Sequence, residues 1–288
     1  MKSILAKQTD GTLQLNITIP ESEVKKAYDE VFSSVSQDSE LPGFRKGKAP
    51  KKLVEEKVDK TKVYEQVLQK IVPNAYLEAV NENKLKPVVS PKVELLKAEE
   101  GADWEIRATT CERPEVVLGD YKEEIRKEMA TGKLWTPQTQ KNEKDTDNTE
   151  ATHDEKTQKV MEILLKTVKL DLPSVLAEDE LNRALSNLIA QTEKLGLTID
   201  QYLNSINKTV EQIRAEYRER IEGDLKIQLI LDEIAKAEKT EVKEEEIDAL
   251  ITASGDEKIK ENLNKPENRL YLKGILARRK TLDFLAKL

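Results

Sequence analysis

The sequence predicts two folded parts of different class: an α+β N-terminal domain, with a small antiparallel sheet and long helices, joined by a polar linker to an all-α helical C-terminal domain. Three observations carry this. Leu13, Leu15, Ile17 and Ile19 alternate after an Asp10-Gly11 turn, the period of a half-buried strand. From Thr131 to Gln158 the apolar pattern collapses into Lys, Asn, Asp, Thr, Glu and Gln, with only Leu134 and Trp135 large and apolar near its start. Beyond it, Leu181, Leu185, Leu188, Thr192 and Leu195 follow 4-3-4-3 spacing, which lines up one face of a helix. The expected boundaries are 1–113 for the α+β domain, 114–158 for the linker and 159–288 for the helical domain.

The first arm of the hairpin runs near Ser3 to Lys7, and Pro20 ends the second. Val24, Ala27, Tyr28, Val31 and Val35 recur at helical spacing, as do Val63, Val67, Ile71, Ala75 and Val80. Val88 to Leu96 and Asp103 to Cys111 read as two more strands, the second with Trp104, Ile106 and Ala108 on one face. In the last part, Gly196 is a natural residue to follow a helix C-terminus, and Thr198 with Gln201 and Thr209 with Gln212 fit capping boxes. A long helix from Val210 has an apolar face that broadens toward Ile234, so its far end should be buried on several sides. Another helix begins at Glu244, Gly255 interrupts, and a last helix follows Pro266 with Leu272, Leu276, Leu282 and Leu285 among its apolar residues.

Composition narrows the chemistry. The 288 residues are about two domains by length, with 36% charged and 38% hydrophobic residues, enough for real cores. No run approaches the roughly 18 apolar residues of a membrane helix and no apolar leader opens the chain, so a cytoplasmic protein without a membrane partner is expected. The single cysteine, Cys111, rules out a disulfide framework and reads as a structural strand residue. His153, the lone histidine, sits in the polar tract beside Asp154 and Glu155, without converging groups for catalysis or metal. With no glycine-rich phosphate loop, nucleophile elbow or metal motif, no catalytic residue, cofactor or ATP-driven step is expected.

Net charge is −7, against a generally basic nucleic-acid binder. Positive charge is instead local. From Leu41 to Val54, Arg45, Lys46, Lys48, Lys51 and Lys52 give five cations and no acid. Within this stretch Gly43-Phe44-Arg45-Lys46-Gly47-Lys48-Ala49-Pro50 places a bare aromatic among cations, with Gly43 and Gly47 free in backbone angle and Pro50 fixing the exit. Arg45 can bond bidentately to phosphate or carboxylate, Lys46 and Lys48 add point charge, and Phe44 can seat in an apolar notch or stack on a base. Such a loop suits docking to a polyanionic or mixed surface, and salt should weaken it.

The order of residues in that loop resembles the ribosome-docking signature of the trigger factor family, bacterial chaperones that meet nascent chains at the exit tunnel. The resemblance continues in Pro114-Glu115-Val116-Val117-Leu118-Gly119-Asp120-Tyr121 and resumes from Leu170-Asp171-Leu172-Pro173 through the helices to Leu288. It implies an elongated helical domain with scattered apolar surface for nascent or unfolded polypeptides. It also implies docking of Phe44, Arg45 and Lys46 to ribosomal protein and rRNA of the large ribosomal subunit, with Gly43, Gly47, Lys48 and Pro50 shaping the loop. Relatives that dimerise make a weak homodimer the state to test off the ribosome. The family's central peptidyl-prolyl isomerase domain has no counterpart, because the polar tract in its place is too short for a core.

The resemblance therefore implies an ATP-independent holdase that is not an enzyme. Three other readings stand beside it: an RNA-binding or ribosome-assembly factor with the helices as scaffold, a free cytosolic holdase, and an isomerase with a residual site near Trp135. Tight binding to naked RNA would favour the assembly factor, and catalysis of proline-limited refolding the isomerase.

Overall fold

The computed structural model describes residues 1–38, 44, 53, 57, 60–131, 148–255 and 257–288. They form two units, one of Met1–Arg113 with Pro173–Asp179, the other of Pro114–Leu172 with Glu180–Leu288.

In the first unit, β1 (Lys2–Lys7), β2 (Thr12–Ile19), β3 (Lys92–Lys97) and β4 (Trp104–Cys111) build an antiparallel sheet in the order β1-β2-β4-β3. The hairpin turns at Asp10-Gly11, where Gly11 takes φ +84°, a backbone conformation that costs glycine little. The register pairs Ile17 with Ile106 and Leu15 with Ala108, so the alternating apolar residues of β2 and β4 fall on one face. Two helices, α1 (Glu21–Asp38) and α2 (Lys60–Glu82), supply the other side of that core through Val24, Ala27 and Val31 and through Val63, Val67, Ile71 and Ala75. The Glu21 N–H at the start of α1 donates to Asp103 Oδ1 at 2.8 Å, satisfying a helix-end donor.

The third strand starts later than its sequence suggests. Val88 does approach β4, its N–H donating to the Cys111 carbonyl at 3.0 Å, but Pro91 has no N–H for a ladder and pairing begins at Lys92. Cys111 closes β4 fully buried, and that burial, reinforced by the charges of Asp10 and Asp179, pushes its thiol up to about 11. A thiol held protonated there behaves as a small apolar residue.

The remaining elements are helices: α3 (Tyr121–Thr131), α4 (Asn148–Thr167), α5 (Ser174–Lys194), α6 (Ile199–Ser205), α7 (Val210–Ala237), α8 (Glu244–Thr252), α9 (Glu257–Leu263) and α10 (Pro266–Leu285). Both capping boxes form. The Gln201 N–H donates to Thr198 Oγ1 at 3.2 Å while Gln201 Oε1 accepts from the Thr198 N–H at 2.9 Å, and Thr209 with Gln212 repeats the pattern at 3.3 and 2.9 Å. Gly196 ends α5 at φ +74°, with the Leu197 N–H reaching back to the Thr192 carbonyl at 3.0 Å. Toward its C-terminus α7 buries Ile230, Leu231, Ile234 and Ala235.

Part of 114–158, read from the sequence as linker, is folded. Tyr121 and Ile125 of α3 are buried with Val160 and Leu164 of α4, Ile230 and Ile234 of α7 and Leu285 of α10. Tyr121, Ile125 and Met129 recur every fourth residue, a single narrow stripe that polar composition conceals. Residues 132–147, with Leu134 and Trp135, lie outside the described residues.

Candidate docking site

The segment that joins α1 to α2 holds the candidate docking residues. Phe44 lies in a bend and is 43% exposed, a large aromatic ring left open to solvent. Leu53 is also exposed, as are Lys57 and the first helical residues Lys60, Thr61 and Lys62. Gly43, Arg45, Lys46, Gly47, Lys48 and Pro50 lie outside the described residues.

The two helices that carry this segment are tied together by aromatic rings. Tyr28 and Phe32 of α1 stack with centroids 5.9 Å apart, Tyr28 meets Tyr64 of α2 at 5.3 Å, and Tyr64 meets Trp104 of β4 at 5.9 Å. The Trp104 indole N–H donates to the Glu99 carbonyl at 3.2 Å. Burial, helped by the nearby Glu100 carboxylate, pushes the Tyr64 hydroxyl up, so it stays protonated across the physiological range. On the open side of the helices Lys70 Nζ donates to Glu30 Oε2 at 2.6 Å, and that hydrogen bond and charge pull the Glu30 carboxyl down. Both side chains are about half exposed, so the pair orients the helices more than it stabilises them.

Among the described residues no group of three His, Cys, Asp or Glu side chains is placed to hold a metal ion. His153 Nε2 lies 3.1 Å from Asp283 Oδ1, joining α4 to α10. Tyr121 and Lys122 converge on one carboxylate oxygen, Glu238 Oε1, at 2.8 and 2.6 Å, which pulls the Glu238 carboxyl down. Burial and that same carboxylate push the Tyr121 hydroxyl up. These contacts join helices within the second unit, and sequence reasoning missed them because partners more than a hundred residues apart leave no local signal.

Apolar surface in the helical unit is dispersed. Leu195 and Leu270 are 75% and 73% exposed, Tyr271 65% and Val210 57%, amid a surface dense in Lys and Glu. A cavity of about 940 Å³ opens between α3, α4 and the residues after α10, with Met129, Ile163 and Leu288 among Lys156, Lys159 and Lys287. Scattered apolar contacts among charges are what a weak, promiscuous binder requires, because one large patch would aggregate.

Family models match nearly the whole chain: that of the bacterial trigger factor protein over residues 1–134 and that of its C-terminus over 138–287. The trigger factor of Streptococcus mutans serotype c is 44% identical over 108 residues, which are 38% of this chain and 25% of that protein. Staphylococcus aureus trigger factor is 40% identical over the same span and shares. The chain thus spans about a quarter of the length of these curated relatives. A solved structure from work on promiscuous substrate recognition in the folding and assembly activities of the trigger factor chaperone superposes over 100% of this chain and 99% of its own, with a TM-score of 0.64. At 16% identity that likeness speaks for the fold. With the two family models together covering residues 1–134 and 138–287, the chain belongs to the bacterial trigger factor family.

Proposed function

We propose that the chain is an ATP-independent, ribosome-associated chaperone that holds nascent polypeptides at the exit tunnel. Residues 1–113 dock and residues 159–288 shield clients. The observation that carries the reading is Phe44, an open aromatic directly ahead of five cations in a stretch with no acid, borne on two helices tied by the contact of Tyr28 with Tyr64. Phe44 fills an apolar notch on the large ribosomal subunit, while Arg45 and Lys46 pair with rRNA phosphate or an acidic side chain of a ribosomal protein. Gly43, Gly47, Lys48 and Pro50 shape and charge the tip.

The helical unit delays wrong contacts of an emerging chain until a domain's length is available. Exposed Leu195, Val210, Leu270 and Tyr271 offer contacts that are weak one by one and reversible together. A chaperone that works without isomerase chemistry is supported by the two family models, which leave only residues 135–137 between them. Off the ribosome it is cytoplasmic and at most a weak homodimer. Among the described residues, no helix is long and apolar enough to cross a membrane.

Co-sedimentation with vacant and nascent-chain-bearing ribosomes tests the reading. Replacing Phe44, Arg45 and Lys46 together with alanine is expected to abolish pelleting while leaving helical content by circular dichroism unchanged. Raised salt should weaken the intact chain's binding. Unchanged pelleting of the triple variant would sink the docking assignment.

A further inference from the structure

The sheet of the first unit has an open margin at β3. Among the described residues its order, β1-β2-β4-β3, leaves β3 paired on one side only, and all six of its residues are exposed. The register sets Val93 opposite Ala108 and Leu95 opposite Ile106, and directly opposed residues share a face. Ala108 and Ile106 are buried under the helices, yet Val93 is 38% and Leu95 47% exposed. The core face therefore runs on past its helical cover. Leu96 and Val88, 44% and 50% exposed, are further apolar residues near this edge.

We propose that this edge accepts an extended polypeptide segment as a fifth, antiparallel strand. This goes beyond the docking of Phe44, Arg45 and Lys46 and does not rest on it. Charge on the strand specifies the guest. Lys92 and Glu94 lie opposite Thr109 and Arg107, on the face away from the core. A guest strand then carries an acid beside Lys92 and a base beside Glu94, with apolar residues beside Val93 and Leu95. In chain order that guest reads apolar, base, apolar, acid. Glu94 can take a second cation, since its carboxylate is 3.8 Å from Arg107 and both side chains are open to solvent. The edge is also kept short. A register shift between Leu95 and Lys97, and lysines at both ends, confine pairing to about four residues, which favours brief capture over irreversible sheet growth.

The test is fluorescence anisotropy of a blocked ten-residue peptide centred on Val-Lys-Val-Glu, titrated with the full chain. Three changes are expected to weaken binding by about tenfold or more: the Val93→Thr/Leu95→Thr variant, the charge-swapped peptide centred on Val-Glu-Val-Lys, and N-methylation of one of the two alternating sets of peptide amides. N-methylation of the other set should leave binding intact, because a strand pairs through one edge. Circular dichroism of the double variant should match the parent, since both positions are exposed. The Phe44, Arg45 and Lys46 triple variant should bind the peptide as the parent does, so the two functions fail separately. Equal binding by both N-methylated peptides, or by the Val93→Thr/Leu95→Thr variant, would overturn the proposal. So would self-association lost in that variant with no peptide bound, which would give the edge to a second copy.

Discussion

The two units bury their apolar residues in different ways. Among the described residues of the α+β unit one cluster of sixteen buried residues spans β2, β4, α1 and α2. Among the described residues of the helical unit there are three clusters, of nine, four and three. A single continuous core opens all at once, whereas small clusters joined by solvated helix open locally and cheaply. Under the proposed function, the first suits a frame that carries the docking segment. Under the same proposal, the second suits surfaces that adapt to varied clients.

The sharpest way to break this comparison is Trp104→Ala. Trp104 is 2% exposed, packs against Tyr64 and lies in the sixteen-residue cluster. Its loss is expected to cost about 3–5 kcal/mol and to unfold the α+β unit as a whole. Hydrogen exchange would read it as protection lost together across β2, β4, α1 and α2. Protection lost only beside residue 104 would mean the core is not cooperative.

Ile213→Ala probes the opposite case. Ile213 is buried with Leu188 and Leu203, against partly buried Tyr202 and Tyr217. The expected cost is about 2–4 kcal/mol, in the range for deleting a buried isoleucine, but confined to that cluster. Exchange should quicken in α6, the C-terminal part of α5 and the start of α7, and stay slow at Ile230 and Ile234. A loss that reached those residues would merge the helical clusters into one core.

How much of this was legible in the sequence followed the range of the interactions. The Asp10-Gly11 hairpin, both capping boxes and the Gly196 stop are set by residues within a few positions of each other, and each formed where the sequence put it. The helical fold of 121–131 was hidden, because Tyr121 and Ile125 find their partners in α4, α7 and α10. Exposure was equally hidden. Leu195 completes the 4-3-4-3 stripe with Leu188 yet stands 75% open, since periodicity says which face a residue shares and not where a partner helix stops. The docking residues were read from the composition and order of the loop, and of them only Phe44 is among the described residues, at 43% exposure.

Thr209→Ala is a smaller and more local change. Removing the hydroxyl leaves the Gln212 N–H without its side-chain acceptor at the start of α7, at a cost of about 1 kcal/mol. Fraying should be confined to the first turn of α7, read as faster exchange near Val210 to Ile213. Serine at position 209 should restore the protection, because it keeps the capping oxygen.

The smallest effect expected is also the one with a pH signature. Asp10 sits in the hairpin turn and accepts from the Thr12 N–H at 2.9 Å and Thr12 Oγ1 at 2.9 Å. It also accepts from the Ser174 N–H at 3.1 Å and Ser174 Oγ at 2.8 Å, at the first turn of α5. Partial burial pushes its carboxyl upward, but these four hydrogen bonds outweigh it and bring the carboxyl down to about 2. A carboxyl lowered on folding contributes stability that is complete above its unfolded value of 3.8 and is lost as pH falls through about 2. Asp10→Asn is therefore expected to be less stable than the parent by up to about 1 kcal/mol at neutral pH, the acceptor oxygens being partly retained. The gap should narrow between about pH 4 and pH 2 and close below it. Denaturant midpoints of the α+β unit at a series of pH values would read this. A gap that stays constant as the pH drops would mean the turn is held by shape, through Gly11 and Pro173, and not by the charge at position 10.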